Sequence, residues 1–180
     1  MRCFIAIDLP KHAQSRVFHK FEILKSKRLF RGRIISKDDL HLTLKFLGNL
    51  SENKIQDIKT RLKKVKFSKF EGTVGKTGFF DNEDNIKVIW VELLADKIEL
   101  LQKEINKEIN SFREDNNSKF DSYITMAKVM DVLNKQELIK EVNKMNFRKL
   151  DFEVNEFLLI KSEMTKKGPR YKVLERFPLN

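Results

Sequence analysis

The sequence is poor in the residues that most often build catalytic or cross-linked sites. It has one cysteine, Cys3, and three histidines, His12, His19 and His41. A lone cysteine excludes an internal disulfide and a cysteine-rich zinc site. Asp, Glu and His form no cluster at metal-ligand spacing, so no metal or cofactor is expected. Three prolines and six glycines exclude collagen-like and linker-rich chains. No apolar run approaches the roughly 18 residues of a membrane helix. The opening "CFIAI" is too short for a secretory segment, and Asp8 follows it. A cytoplasmic monomer without a membrane partner is the expectation.

What is present narrows the class further. Hydrophobic residues make up 41% of the chain, including 15 Phe, enough for a core and too many for a disordered chain. Lys and Arg number 37 against 26 Asp and Glu, a net charge of +11. Such an excess favours a polyanionic partner, with RNA or DNA first. A solubilising lysine-rich surface is the plain alternative.

Periodicity gives an α+β order. "RCFIAIDL" reads as a buried strand. After Pro10, Ala13, Val17, Phe21 and Leu24 recur at helical spacing. Residues 33–36 and 41–47 read as strands. Ser51 can cap a helix carrying Ile55, Ile58, Leu62 and Val65. Strands near 67–79 and 86–94 flank the turn "DNEDN". Asp96 can cap a helix with Leu100, Leu101, Ile105, Ile109 and Phe112 on its apolar side. "FREDNNSK" is a polar loop and "SYITMAKV" a strand. Asn134 and Glu137 resemble a capping box for a helix with Leu138, Val142 and Met145. Strands near 151–162 and 170–177 flank "TKKGP". Each half reads helix, strand, helix, strand, strand, as an internal duplication does. The expected fold is one bilobal domain over 1–180. Its antiparallel sheets face a central cleft, the natural ligand site, with helices outside.

"LHLTLKFLG" puts Leu40, Leu42, Leu44 and Phe46 on one strand face and His41, Thr43 and Lys45 on the other. Laying the halves on each other sets "HLTLKF" against "YITMAK". His41 then meets Tyr123, Thr43 meets Thr125, and Tyr123, Thr125 and Ala127 share a face. Trp90 reads as core rather than as a base-stacking platform. His12 and His19 lie seven apart on the first helix and read as surface residues.

These stretches resemble the two-histidine phosphoesterases, specifically the archaeal and bacterial RNA 2′,3′-cyclic phosphodiesterases, also called 2′-5′ RNA ligases. "MRCFIAIDLP", "LHLTLKFLG", "KVIWVEL" and "KGPRYKVLERFPL" carry the resemblance in order along the chain. The motifs fall at 41–44 and 123–126. The second departs from the family's pattern. "FDSYITMAK" keeps Phe120 and Thr125 but has Ser122 for proline and Tyr123 for histidine.

The resemblance implies metal-independent hydrolysis of RNA 2′,3′-cyclic phosphate ends to 2′-phosphates. In it His41 protonates the 3′ oxygen, Thr43 and Thr125 hold phosphate oxygens, and Tyr123 stands in the base position. Arg2 and Phe4 border the cleft. Lys45 and Lys128, taken as corresponding positions, add positive potential. Lys166, Lys167 and Tyr171 of the closing hairpin are further candidates for RNA contact. A phenol with a pKa near ~10 is almost wholly protonated at neutral pH, which suits binding better than base catalysis. The alternatives are therefore an impaired relative that binds RNA ends or nucleotides, or a 2′-5′ RNA ligase.

Overall fold

The computed structural model describes residues 1–82, 85–112, 120–166 and 168–180. The middle of the expected 81–85 turn, residues 113–119 of the expected polar loop, and Lys167 lie outside them. Four α-helices and nine β-strands are present among the described residues. In chain order they are β1 (Arg2–Asp8), α1 (Lys11–Ser26), β2 (Phe30–Ile34), β3 (His41–Asn49), α2 (Glu52–Leu62), β4 (Phe70–Asn82) and β5 (Asn85–Leu94). Then follow α3 (Ile98–Glu108), β6 (Tyr123–Val132), α4 (Lys135–Lys144), β7 (Asp151–Val154), β8 (Glu156–Thr165) and β9 (Gly168–Pro178).

All nine strands join one antiparallel sheet in the order β7-β4-β5-β6-β3-β1-β8-β9, with β2 added against β6. The α+β class is as expected, but three strands instead of two follow α4, and the two sequence halves exchange hairpins. The β4–β5 hairpin of the first half pairs with β6 and β7 of the second. The β8–β9 hairpin of the second half pairs with β1 of the first. The expected strand at 151–162 is therefore two strands, separated at Asn155 and sent to opposite wings of the sheet.

The helices follow their apolar stripes. In α1, Ala13, Val17, Phe21 and Leu24 are buried, and His12 and His19 are exposed. The Ser51 hydroxyl accepts the Lys54 N–H at 3.4 Å and starts α2, which buries Ile55, Ile58 and Leu62. Asn134 accepts the Glu137 N–H at 3.1 Å at the head of α4, while its own N–H donates to Leu29 O. Asp96 does not cap α3, which begins one position later behind Lys97. Its buried stripe is Ile98, Leu101 and Ile105, so Leu100, one position off, is 51% exposed.

β1 has neighbours on both edges and is buried on both faces. Cys3, Ile5 and Ile7 point into the main core beneath the helices. Phe4 and Ala6 point the other way and pack with Leu158 and Ile160, with Tyr171 against them. This second cluster floors one side of the cleft.

At the end of β1, burial pushes the Asp8 carboxyl up to about 6, against Arg176 and with Glu156 and Asp39. A raised folded pKa means that protonation favours the fold. That contribution is present at acid pH and is lost as pH rises from ~4, the unfolded value, through about 6. Asp8→Asn should therefore melt about 2–4 °C higher than the parent at pH 7, equivalent to about 1 kcal/mol. The gap should narrow towards pH 4. A variant that melts lower at pH 7 would contradict this reading.

Candidate active site

The two motif strands meet at the pair Leu42↔Ile124. An antiparallel pair has a local two-fold axis through its centre. Continuing the register, His41 stands towards Thr125 and Tyr123 towards Thr43. Leu40, Leu42, Leu44, Ile124 and Met126 are buried in the core. His41, Thr43, Tyr123 and Thr125 are partly buried on the opposite face, where they line one cleft of about 470 Å³.

Bulges at corresponding positions shape both strands. Against β1, β3 skips a residue at Leu44; against β5, β6 skips one at Met126. Two expectations change as a result, and a third falls on the alignment of the motifs itself. Phe46 does not join the leucines: it pairs with Phe4, is 55% exposed and lines the cleft. Ala127 does not share Tyr123's face: it pairs with Ile34 and Ile89 in the core. Lys45 and Lys128 are not equivalent, because Phe46 is the counterpart of Lys128 once the motifs are aligned. Both lysines nonetheless line the cleft.

His41 is held from three sides. Its Nδ1 lies 2.7 Å from the Asp39 carbonyl oxygen. A carbonyl only accepts, so Nδ1 carries the hydrogen and Nε2 is left for the cleft. Phe4 packs 4.9 Å from the ring, and Tyr171 meets it edge-on at 5.2 Å. Burial pushes the imidazole pKa down, opposed by the Asp39 carbonyl bond and carboxylate.

Tyr123 sits in a second aromatic group. Phe80 meets it edge-on at 4.9 Å, and Trp90 lies 6.3 Å away. Burial, then the Asp121 carboxylate, push the phenol pKa up. Burial, with Asp39, also raises Tyr171, against Arg33 and Arg2. Trp90 is not core. It pairs with Thr125 on the open face and lies across Gly78, where a Cβ would strike its ring.

Ser122 is tied to β5 in both directions. Its hydroxyl donates to Leu93 O, and its carbonyl accepts the Leu93 N–H at 3.1 Å. The segment leading into Tyr123 is thus fixed to β5 by hydrogen bonds.

Arg2, Phe4 and Tyr171 line the cleft. Lys166 is exposed at the β8–β9 turn and is not among the lining residues, although Met164 and Pro169 beside it are. The hairpin tip reaches the other wing: Gly168, at φ +114°, lies so close to the Arg33 guanidinium that a Cβ would strike it. Asp39 and Asp121 also line the cleft and went unread in the sequence. Each stands two residues before its motif, and extending the alignment of the halves by two positions would have found them. Among the lining residues, three cations, Arg2, Lys45 and Lys128, face these two carboxylates. Most of the +11 charge therefore lies elsewhere.

Known proteins share this architecture. The family model described as LigT like Phosphoesterase matches residues 7–90. An RNA 2′,3′-cyclic phosphodiesterase of Thermotoga maritima is 32% identical, over 97% of this chain and 93% of that one. One from Methanocaldococcus jannaschii is 28% identical, over 98% of this chain and 100% of that one. Among solved structures, a Thermus thermophilus protein superposes with a TM-score of 0.77 at 25% identity, covering 99% and 98% of the two chains. The apo form of E. coli LigT gives 0.80 at 22% identity, covering 99% and 96%. The whole-length likeness and the paired-motif cleft agree, and the chain belongs to the LigT-like phosphoesterase family.

Proposed function

We infer that this cleft hydrolyses 2′,3′-cyclic phosphate ends of RNA to 2′-phosphates, without a metal ion and at a rate held down by Tyr123. The observation that carries the reading is the pairing about Leu42↔Ile124. It brings one oriented imidazole, one phenol and two threonine hydroxyls to a single cleft of about 470 Å³. Thr43 and Thr125 hold the non-bridging oxygens. His41 and Tyr123 are the two proton carriers. Arg2, Lys45 and Lys128 attract the anion, while Tyr171 and the exposed Phe46 offer ring surface to the terminal nucleoside. The full-length relatives named RNA 2′,3′-cyclic phosphodiesterases support the same substrate class.

The test is an oligonucleotide ending in a 2′,3′-cyclic phosphate, incubated with the protein and EDTA. The expected product is a 2′-phosphate end. Binding without hydrolysis would favour the second reading, a binder of RNA ends, which rests on Tyr123 replacing a histidine. Joining of ends to form a 2′-5′ linkage would favour the ligase reading, the same chemistry reversed.

Charge gives a separate expectation. With three lining cations meeting a single strand, log K should fall with log salt at a slope of about −2. Binding then weakens about 16-fold between 50 and 200 mM salt. Binding indifferent to salt would leave the cleft cations without a role in capturing the anion.

A further inference from the structure

We propose that His41 is the general base of this site and Tyr123 its general acid, the reverse of the assignment that the family resemblance implies. The proposal rests on the hydrolytic reading above and deepens it.

Geometry gives the first reason. The Asp39 carbonyl holds the hydrogen on Nδ1 at 2.7 Å. In the neutral ring this leaves a lone pair on Nε2, the nitrogen left for the cleft. A water beside Nε2 can give up a proton with no prior change in His41. On the other side of the two-fold axis, Tyr123 brings a hydroxyl to the same cleft. A phenol donates a proton readily and removes one only as phenolate.

Protonation states agree. Burial lowers the His41 pKa, so the ring is mainly neutral at pH 7. Burial and the Asp121 carboxylate raise that of Tyr123, so its proton stays in place. The opposite assignment needs an imidazolium together with a phenolate. Even at ordinary values of ~6.5 and ~10, only about one molecule in 4,000 is in that state at pH 7. Both shifts make it rarer. A bound phosphate anion reinforces the proton on Tyr123; at His41 burial opposes its effect.

The step balances. Water loses a proton to His41 Nε2 as its oxygen bonds to phosphorus. The bond from phosphorus to the 3′ oxygen breaks, and that oxygen takes the Tyr123 proton. The product is the 2′-phosphate. Imidazolium and phenolate remain in one cleft and are reset by proton exchange through solvent. This pose sets the 3′ oxygen towards Tyr123 and the water towards His41, a reversal the pseudo-two-fold cleft accommodates.

Leaving-group rescue tests the assignment. In one substrate, sulfur replaces the 3′ bridging oxygen of the cyclic phosphate. A thiolate leaves without needing a proton, so loss of the acid ceases to matter while loss of the base still does. On the oxygen substrate, Tyr123→Phe should lose about 10²-fold and His41→Ala about 10²–10⁴-fold. On the sulfur substrate, Tyr123→Phe should come within about threefold of the parent, and His41→Ala should stay as impaired. Rescue of His41→Ala instead, or a Tyr123→Phe variant as fast as the parent on the oxygen substrate, would overturn the proposal and leave the hydrolytic reading standing. A parent inactive on both substrates would overturn the hydrolytic reading itself. Tyr123→Phe keeps the ring against Phe80 and Trp90, so its fold is preserved.

Discussion

Replacing His41 with alanine lowers cyclic-phosphate hydrolysis by about 10²–10⁴-fold and leaves RNA binding within a few-fold of the parent. The size follows from removing a positioned proton carrier. Binding survives because the groups that hold the anion remain: Thr43, Thr125, Arg2, Lys45 and Lys128 all line the cleft, and Tyr171 stays in it beside the vacated ring position. Steady-state kinetics should show the loss in kcat with KM nearly unchanged. The ring also packs on Phe4 and Tyr171, so His41→Gln, which refills part of the space, is the matching control. Glutamine fills volume but accepts no proton at neutral pH, so it should be as impaired as alanine. A glutamine variant with parental activity would show that the imidazole only fills space.

Tyr123→His is expected to act in the other direction and raise turnover about 10–10²-fold. General acids and bases work best with a pKa near the operating pH. An imidazole near ~6.5 lies much closer to 7 than a phenol pushed above its usual ~10. The surroundings suit the change. Asp121 stands two residues upstream, as Asp39 does from His41, and its carbonyl already accepts the Tyr123 N–H at 3.0 Å. It can take a new Nδ1 hydrogen in the same manner. No gain over an inactive parent would mean that the cleft has lost more than one group, favouring the binding-protein reading. No gain over a fast parent would mean that Tyr123 limits nothing.

How far the sequence foretold this site depends on which physical rule was in force. Strict alternation in "LHLTL" and "YITM" was enough to place His41, Thr43, Tyr123 and Thr125 on one face, because a strand's period of two leaves little choice. One residue beyond each stretch the period breaks. The extra residues at Leu44 and Met126 leave no mark on hydrophobicity, so Phe46 and Ala127 were assigned to the wrong faces. The break at Asn155 was hidden in a similar way. "DFEV" and "EFLLI" both read as strand, and only their partners, β4 and β1, show that they part. Strand partners are long-range facts, which explains why the exchange of hairpins between halves escaped a reading based on element order. Trp90 was misplaced for a composition reason. A large apolar ring suggests a core, yet here it lies over Gly78 on the open face beside Tyr123. Asp39 and Asp121 were legible, since both stand two residues before their motifs.

The most direct measurement is the single-turnover rate of the unaltered protein on an oligonucleotide ending in a 2′,3′-cyclic phosphate, in EDTA, beside His41→Ala at the same concentration. A cleft that works through His41 converts the end to a 2′-phosphate at least about 10²-fold faster in the unaltered protein than in the variant. Equal rates for the two proteins would contradict it.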